Sequence, residues 1–319
     1  MNFEPLKTKV VFLGTPEFAA APLTAIFRAK YAILGVVTVP DRPVGRKRVL
    51  TPPAAKITAQ KLGLAVYQPG NKAELKAILD DLRPDLCVVA AFGMILPKDV
   101  LDIPRYGFLN IHASLLPRWR GASPIQAAIL AGDEKTGVTI MLINEKMDEG
   151  PILAKSEIRI SNSETAEELS KKLSELGADL LIKTLPKYLK DEIRPQEQDH
   201  SKATYCRIIK KEDGLIDWSK PAGHIEIMTR AYWPWPTAYA KFKIQNSKSK
   251  ILKIIKARVI KQNGYKIGEV FLVENKKPAV RCGEDSLVLE TVQPEGKKPM
   301  SGEEFLRGHR EIIGSTLAN

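Results

Sequence analysis

The chain has 319 residues, of which 44% are hydrophobic, and its formal net charge is +12. This length allows about two domains with packed cores, so we expect a globular protein and exclude a disordered chain. No run of about 18 apolar residues occurs, which argues against a membrane-spanning helix. The first residues also lack the layout of a signal or transit peptide, and a cytoplasmic location is therefore expected.

Cysteine and histidine usage argues against disulfide and metal chemistry. The three cysteines, Cys87, Cys206 and Cys282, are odd in number and far apart, which favours structural thiols. The four histidines are dispersed, without the short spacing that zinc ligands usually show. We therefore expect no metal in the functional site.

The positive charge is concentrated in the last third of the chain. Residues 201–319 contain 22 lysines and arginines against 13 aspartates and glutamates, a balance of +9, which leaves +3 for residues 1–200. Such an excess either covers an ordinary solvated surface or meets a polyanionic partner such as nucleic acid. Charge alone leaves both interpretations open.

The first part of the chain alternates short apolar strands with helical segments. This alternation predicts parallel strands joined by crossovers, an α/β fold with a Rossmann-like parallel sheet. Residues 152–160 alternate as a strand that leaves the parallel core, and residues 164–190 form a long helix with Ser163 as its N-cap. The predicted strands of the sheet are residues 9–14, 31–39, 64–68, 85–92, 108–112 and 137–143, and the predicted helices between them are residues 16–30, 52–63 and 72–83.

The pattern changes after residue 190. Residues 191–205 are polar and include Pro195, so we predict a linker there, between a first domain at 1–190 and a C-terminal domain at 206–319. Five short strands in about 80 residues predict a small antiparallel barrel of the OB-like type. These strands are expected at residues 238–244, 252–259, 268–273, 279–282 and 286–292, with one helix around residues 222–231.

The sequence lacks the motifs of two common nucleotide-binding sites. A dinucleotide fold requires Gly-x-Gly-x-x-Gly, whereas this turn reads Gly14-Thr15-Pro16-Glu17-Phe18. No Gly-x-x-x-x-Gly-Lys-Ser/Thr sequence occurs either, which excludes a P-loop.

Three polar residues follow or end predicted strands. His112 follows the strand 108–111 and Asp148 follows the strand 137–143, so two crossover-linked strand ends would bring them together. Asn110 projects to the same side as His112 because the two are separated by two residues on a strand. His112 taken alone fits a structural histidine better than a catalytic one. The three together predict one catalytic cluster.

The cluster suits transfer of an acyl-like group to an amine. Asn110 and His112 would stabilise the oxyanion that forms when the carbonyl is attacked, and Asp148 would orient His112 and take the proton that the amine loses. Ser114 is close in sequence but lacks the Gly-x-Ser-x-Gly elbow of serine hydrolases.

The residues around this cluster resemble the folate-dependent formyltransferases. The central resemblance lies in Asn110-Ile111-His112, in SLLPRWRG from Ser114 to Gly121, and in Met147-Asp148-Glu149-Gly150. Further matches cover nearly the whole chain: FLGTPEFA at the start, PDRPVGR at 40–46, FGMILP at 92–97, EDGLIDW at 212–218, WPWPTAY at 233–239 and GKKPMSGEEFLRG at 296–308.

The resemblance implies 10-formyltetrahydrofolate as formyl donor and, as acceptor, the α-amine of methionine esterified to initiator tRNA. It makes Asn110, His112 and Asp148 the catalytic set. The folate site implied by the family consists of Ser114, Leu115, Leu116 and Pro117 together with Phe92, Gly93 and Ile95, the latter stretch acting largely through main-chain groups. For Phe92 and Ile95, plain core packing is an equally good explanation.

The loop from Pro40 to Thr51 is basic, and its simplest explanation is a solvated surface. In the family the corresponding loop contacts tRNA, and phosphate contacts would suit its cations. The loop residues expected to bind tRNA are Arg42, Arg46, Lys47 and Arg48. In the C-terminal domain, contacts to the tRNA backbone are expected from Lys241, Lys243, Lys248, Lys250, Lys253 and Lys256.

Two alternatives remain at this point. A formyltransferase acting on a nucleotide-linked amino sugar would share the central residues, but would have less use for the basic loop and the basic C-terminal domain. A non-catalytic RNA-binding protein on the same fold would not need the three catalytic residue types. We expect a monomer that binds charged initiator tRNA and the folate co-substrate.

Overall fold

A computed structural model describes residues 7–44, 48–242, 250–274 and 276–318. The chain divides into two compact units. Unit 1 comprises Met1–Pro124, Lys135–Arg159 and Ser170–Cys206, and unit 2 comprises Ile125–Glu134, Ile160–Leu169 and Arg207–Asn319. The predicted linker, 191–205, lies within unit 1 in this division, and the domain boundaries remain a prediction.

Unit 1 contains eleven described strands. In chain order they are β1 (Lys9–Gly14), β2 (Ala32–Val37), β3 (Arg42–Val44), β4 (Val49–Thr51), β5 (Val66–Tyr67), β6 (Leu86–Ala90), β7 (Phe108–His112), β8 (Arg120–Gly121), β9 (Lys135–Leu142), β10 (Ile152–Arg159) and β11 (Tyr205–Cys206). Seven of them form the main sheet, in the order β10-β9-β7-β6-β1-β2-β5.

Five neighbouring strands of the main sheet, from β7 to β5, are parallel. The apolar run of β6 is buried along its whole length, as expected for a strand covered on both faces. Val89 of β6 pairs with Asn110 of β7, so the carboxyl ends of these two strands are neighbours. The predicted Rossmann-like α/β fold is confirmed.

The predicted direction of β9 is wrong. This strand was expected to follow β7 through a parallel crossover, but it pairs antiparallel with β7, with Asn110 opposite Met141 and His112 opposite Thr139. β10 pairs antiparallel with β9, in line with its expected departure from the parallel core. An apolar run indicates that a strand is buried but carries no information about its direction, which explains the error.

Eight α-helices lie in the described residues: α1 (Ala20–Arg28), α2 (Ala54–Lys61), α3 (Lys72–Leu82), α4 (Lys98–Leu101), α5 (Pro124–Leu130), α6 (Ala166–Leu189), α7 (Ala222–Ala231) and α8 (Gly302–Gly308). None of the helices described here is long and apolar enough to cross a membrane. The N-cap predicted for α6, Ser163, is wrong. Thr165 accepts from the backbone N–H of Glu168 through its hydroxyl, while the Glu168 carboxylate accepts from the backbone N–H of Thr165, a reciprocal capping box.

Unit 2 is built on a second, antiparallel sheet. Its strands are β12 (Ala238–Phe242), β13 (Lys250–Ile260), β14 (Val270–Val273), β15 (Lys277–Arg281), β16 (Ser286–Pro294) and β17 (Met300–Ser301). The order is β12-β13-β16-β15-β14, and β17 pairs with β16.

Both outer strands of this sheet are joined to the same C-terminal segment. Ala318 exchanges two backbone hydrogen bonds with Lys241 of β12, and Val270 of β14 exchanges two with Gly314 and Ser315. We call residues 314–318 the closing segment, because it pairs with both edges and turns the sheet into a barrel. The predicted OB-like barrel is confirmed.

Candidate active site

The structure brings the three residues of the predicted cluster together. The carboxylate oxygen Oδ1 of Asp148 lies 3.5 Å from Nδ2 of Asn110 and 3.6 Å from Nδ1 of His112. The His112 side chain is 6% exposed and that of Asp148 is 15% exposed, so their contact is largely shielded from water. Asn110 and His112 therefore face one side of β7, as the alternation along the strand predicts.

The route by which Asp148 reaches this position differs from the expected one. Because β9 is antiparallel to β7, its last residue, Leu142, lies beside Leu109 and not beside His112. The loop formed by residues 143–150 then folds back, so that Asp148 contacts side chains further along β7. We call residues 143–150 the return loop.

The other carboxylate oxygen of Asp148 is held by the main chain of β8. Oδ2 accepts a hydrogen bond of 2.8 Å from the backbone N–H of Gly121. Gly121 has a φ of 117°, and a Cβ at this position would collide with the carbonyl oxygen of Cys206 on β11. Only glycine fits here, and the tight pairing of β8 with β11 fixes the donor that orients the carboxylate.

The two ring nitrogens of His112 have different partners. Nε2 lies 3.0 Å from the carbonyl oxygen of Trp119, which can only accept, so Nε2 carries a proton in this contact. Nδ1 faces Asp148 at a distance longer than a hydrogen bond. Nδ1 is thus the ring atom with the freer geometry.

The loop from Ser114 to Pro117 is held by hydrogen bonds from neighbouring side chains. The hydroxyl of Thr139 on β9 donates to the carbonyl of Ser114 and accepts from the N–H of Leu116. The Ser114 hydroxyl donates to the carbonyl of Arg118, and Lys155 on β10 donates to the carbonyl of Leu116. Burial lowers the pKa of Lys155.

The residues expected to line the folate site differ in how far their side chains are exposed. Ser114 and Leu116 have no exposed area, and their polar groups bond to Arg118, Thr139 and Lys155, whereas Leu115 and Pro117 are half-buried. A ligand that binds over this loop would therefore contact the side chains of Leu115 and Pro117.

The second expected folate stretch begins directly after β6. Phe92 is buried in the core cluster of unit 1, and its carbonyl accepts from the Thr15 hydroxyl. Gly93 is exposed with a φ of 86°, and Ile95 is 64% exposed. Core packing thus accounts for Phe92 but not for Ile95, an apolar side chain presented to solvent at the carboxyl end of the sheet.

Two residues that sequence reasoning missed lie behind the Asp148 turn. Arg120 has no exposed area, and its Nε and Nη2 donate to the side-chain oxygen of Gln198 at 3.1 and 2.8 Å. The amide nitrogen of Gln198 donates to the carbonyls of Asp148 and Gly150, each at 2.8 Å. Arg120 belongs to the SLLPRWRG motif, but Gln198 lies in a polar segment with the composition of a linker.

Glu149 and His200 complete the surroundings of Arg120. Nη1 of Arg120 lies 3.5 Å from Glu149, and Nη2 lies 3.1 Å from Nδ1 of His200. Tyr205 offers both its hydroxyl, at 3.3 Å, and its ring face to the guanidinium. The buried positive charge is therefore paired and hydrogen-bonded, as burial of a charge requires.

The basic loop folds as a hairpin. β3 and β4 pair antiparallel, with Arg42 opposite Thr51, and we call residues 42–51 the basic hairpin. Arg42 and Arg48 are exposed. At its base, hydrogen bonds from Lys56 and Gln68 lower the pKa of Asp41. The expected tRNA contacts Arg46 and Lys47 lie outside the described residues, as do Lys243 and Lys248 of unit 2.

The three cysteines are free thiols. Burial raises the pKa of Cys87, of Cys206, and of Cys282 to about 12. Within residues 7–44, 48–242, 250–274 and 276–318, no group of three or more metal-ligating side chains could hold an ion.

Two family models match the chain. Residues 8–185 match the formyl transferase model and residues 208–310 match the formyl transferase C-terminal domain. Together these segments span most of the 319 residues.

Curated relatives match along nearly their whole length. The methionyl-tRNA formyltransferase of Chloroflexus aurantiacus is 47% identical over 304 residues, covering 94% of this chain and 96% of that protein. The methionyl-tRNA formyltransferase of Bacillus licheniformis is 47% identical over 316 residues, with 98% of each chain covered. That of Bacillus subtilis is 44% identical over 314 residues, covering 97% of this chain and 98% of that protein.

Solved structures share the fold at low sequence identity. HypX from Aquifex aeolicus in complex with tetrahydrofolic acid matches with a TM-score of 0.65 and 14% identity, over 97% of this chain and 48% of that chain. This chain thus spans about half the length of HypX. WlaRD, a sugar 3N-formyl transferase, matches with a TM-score of 0.64 and 18% identity, over 91% of this chain and 99% of that chain. The match of both family models and the identity to these relatives show that the chain belongs to the formyl transferase family.

Proposed function

We propose that the protein transfers the formyl group of 10-formyltetrahydrofolate to the α-amine of methionyl initiator tRNA, which gives N-formylmethionyl-tRNA for translation initiation. The relatives that carry the name methionyl-tRNA formyltransferase support the substrate pair. The observation that carries the chemistry is the position of the Asp148 carboxylate, 3.5 Å from the Asn110 amide and 3.6 Å from the His112 ring.

The proposed reaction needs one group that removes protons and others that stabilise negative charge. The acceptor amine arrives as an ammonium, and Asp148 takes the proton that frees its lone pair for attack on the formyl carbon. The carbonyl oxygen becomes an oxyanion, which is stabilised by the Asn110 amide and by the Nδ1–H of His112 in its doubly protonated form. One such donor typically contributes about 3–4 kcal/mol.

The intermediate collapses when the bond from the formyl carbon to the folate nitrogen breaks. The amine nitrogen loses its second proton, the departing folate nitrogen gains one, and one proton is released overall. Because Nε2 of His112 is engaged by Trp119, Nδ1 is the ring atom that can turn from Asp148 to the substrate oxygen. No covalent intermediate with the protein is required.

The donor supplies the activated formyl group, and the chain supplies a surface at the carboxyl ends of β6 and β7. Exposed Ile95 and the accessible backbone at Gly93 suit an aromatic ring with hydrogen-bonding edges. Leu115 and Pro117 are the members of the second stretch whose side chains remain partly accessible. We assign the buried residues Ser114 and Leu116 to shaping this loop.

For the tRNA, we assign Arg42 and Arg48 of the basic hairpin to phosphate contacts. Both are exposed, and flexible cations bind phosphate without the need for base recognition. Arg46 and Lys47 belong to the same proposal on sequence grounds. The +9 balance of residues 201–319 gives the C-terminal part of the chain a charge that suits a tRNA backbone.

We further propose that the protein is cytoplasmic, where charged tRNA is used, and acts as a monomer. Light scattering on the purified protein, alone and with tRNA, tests the second point. A mass of two chains in the free protein would refute it.

The deciding experiment offers 10-formyltetrahydrofolate with either methionyl initiator tRNA or a UDP-linked amino sugar and measures formyl transfer to each. We expect transfer to the tRNA-bound methionine. Transfer to the sugar alone would overturn the proposed acceptor and leave the chemistry of the site intact.

A further inference from the structure

Gln198 is a buried amide outside the catalytic cluster whose hydrogen-bonding capacity is fully used. Its side chain is 5% exposed, and its oxygen accepts two N–H groups of Arg120. Its nitrogen donates to the carbonyls of Asp148 and Gly150. A flipped amide would turn its N–H groups toward a guanidinium and its oxygen toward two carbonyls, so the orientation is fixed by the partners.

The turn from Asp148 to Gly150, which Gln198 binds, has an unfavourable backbone conformation. Asp148 has a φ of 53°, in the left-handed region that non-glycine residues seldom occupy. Such a conformation persists only where the surroundings hold it. Gly150 packs so closely on the end of β9 that a Cβ would collide with the carbonyl oxygen of Leu142, which fixes the far side of the turn.

We propose that Gln198 is a positioning residue for Asp148. Gln198 binds the carbonyls of Asp148 and Gly150 and so holds the turn in one conformation. In that conformation the Asp148 carboxylate faces Asn110 and His112. Arg120 restricts the movement of the Gln198 side chain, because two of its N–H groups donate to the Gln198 oxygen. The proposal rests on the proposed role of Asp148 as the proton acceptor.

The geometry explains why a small displacement matters. Oδ1 of Asp148 lies 3.5 and 3.6 Å from its two side-chain partners, at the outer limit of direct interaction. Misplacement of a catalytic group by about 1 Å costs roughly 100-fold in rate. Loss of the two Gln198 donors removes the contacts that resist such a movement.

Gln198→Glu tests this with almost no change in shape. The carboxylate keeps the contact to Arg120 but replaces the two donors by an acceptor that repels the carbonyls of Asp148 and Gly150. The expected result is a fall in kcat of about 100-fold, with KM for both substrates within about twofold of the wild-type values. The acid limb of the kcat profile against pH should also move, because the Asp148 carboxylate shifts relative to His112.

Gln196→Glu is the matched control. It makes the same chemical change two residues away, at an exposed side chain whose pairing with Ile152 uses only main-chain atoms. Its kcat and pH profile should equal those of the wild type. The positioning role would be overturned if Gln198→Glu matched the wild type in both kcat and pH profile, or if its only defect were a higher KM.

Arg120→Lys provides a second variant if Gln198→Glu does not fold. It retains the buried charge but cannot clamp the Gln198 oxygen with two donors. It should lower kcat with little change in KM. A higher KM with an unchanged kcat would count against the proposal.

Asp148→Asn separates this proposal from the proposed function. In that background Gln198→Glu should cause no further loss of kcat, because the two residues act in one unit. If Asp148→Asn alone retains wild-type turnover, the proposed role of Asp148 fails. If Asp148→Asn is impaired and Gln198→Glu is not, only the positioning proposal fails.

Discussion

At the scale of single residues, the surroundings of Asp148 suit its proposed role as a proton acceptor. Oδ2 is held by the Gly121 N–H, which leaves Oδ1 for the side chains of Asn110 and His112. The Gly121 contact fixes the orientation of the carboxylate and leaves Oδ1 available to accept a proton in the proposed reaction. An asparagine could keep the contact to Gly121 but could not take up a proton.

Asp148→Asn is expected to lower turnover by at least about 100-fold, the usual contribution of a positioned general base. Substrate binding should change little because the shape is retained. Asp81→Asn, at an exposed position of α3, serves as control for the same chemical change. Steady-state formyl transfer to methionyl-tRNA is the measurement, and near-wild-type turnover of Asp148→Asn would remove this residue from its role.

Thr139 is a buried residue whose effect is structural. Its hydroxyl satisfies two backbone groups of the loop from Ser114 to Leu116. Thr139→Val should lower the free energy of unfolding by about 1–3 kcal/mol, because a buried donor and a buried acceptor lose their partner. Denaturant unfolding measures this change.

Thr184→Val in α6 is the comparison for Thr139→Val. The Thr184 hydroxyl is also buried, but it bonds to the carbonyl of Leu180 one turn earlier in the same helix. That carbonyl keeps its helical partner, so the loss should be smaller. Equal losses for the two variants would show that the loop gains nothing specific from Thr139.

At the scale of elements, the basic hairpin combines exposed cations with a fixed base. Asp41 pairs with Lys56 at 2.8 Å, while Arg42 and Arg48 point their charges into solvent. The pair at the base holds the hairpin to α2, and its arginines remain available to a polyanion.

Arg42→Ala is expected to slow the reaction with charged tRNA at low salt. The difference from the wild type should shrink as salt rises, because a phosphate contact is worth less when counterions compete for it. Arg28→Ala, which removes an exposed charge from the last turn of α1, should have no such effect. If the Arg42→Ala rate equals the wild-type rate at low salt, the hairpin is a solvated surface.

Elements whose signal is local could be predicted from the sequence. β7 and α7 match their predicted bounds, because an apolar run and a 3.6-residue period are each complete within the segment. The antiparallel direction of β9 depends on a partner more than twenty residues away, and no local pattern encodes it. Gln198 was missed for the same reason, since its partners Arg120 and Asp148 are about 80 and 50 residues distant.

The close approach of Asn110, His112 and Asp148 could be predicted from the sequence, whereas the path of the chain that joins them could not. Residue types and the resemblance indicated Asn110, His112 and Asp148 without any knowledge of strand direction. Within the expected folate site, burial distinguishes Ile95 from Phe92, and the two share the same apolar character in the sequence. Exposure of an apolar side chain is a property of the folded chain alone.

At the scale of the whole molecule, unit 2 depends on its closing segment. Five backbone hydrogen bonds connect residues 314–318 to Lys241, Gly268 and Val270, and Leu317 is 2% exposed. An unpaired strand edge tends to associate with other chains. The closing segment protects both edges at once.

Removal of residues 314–319 should lower the stability of unit 2 by several kcal/mol, at about 1 kcal/mol for each lost hydrogen bond plus the burial of Leu317. The uncovered edges of β12 and β14 should also cause self-association, which size-exclusion chromatography detects. Among the described hydrogen bonds of the closing segment, removal of residues 318–319 alone breaks the pair with Lys241, and it should have a smaller effect on thermal unfolding. A shortened chain that melts and elutes like the full chain would contradict the role of the closing segment.

The return loop makes the active site sensitive to chain length. From Leu109 to His112, β7 advances about 10 Å, and the return loop must cover this distance backwards before Asp148 meets its partners. One residue more or fewer between Ile143 and Met147 would carry the carboxylate past or short of them, even with every catalytic residue retained. Insertions and deletions in this stretch are therefore a separate route to inactivation, and transfer of the site to another sheet would require copying the loop together with the residues.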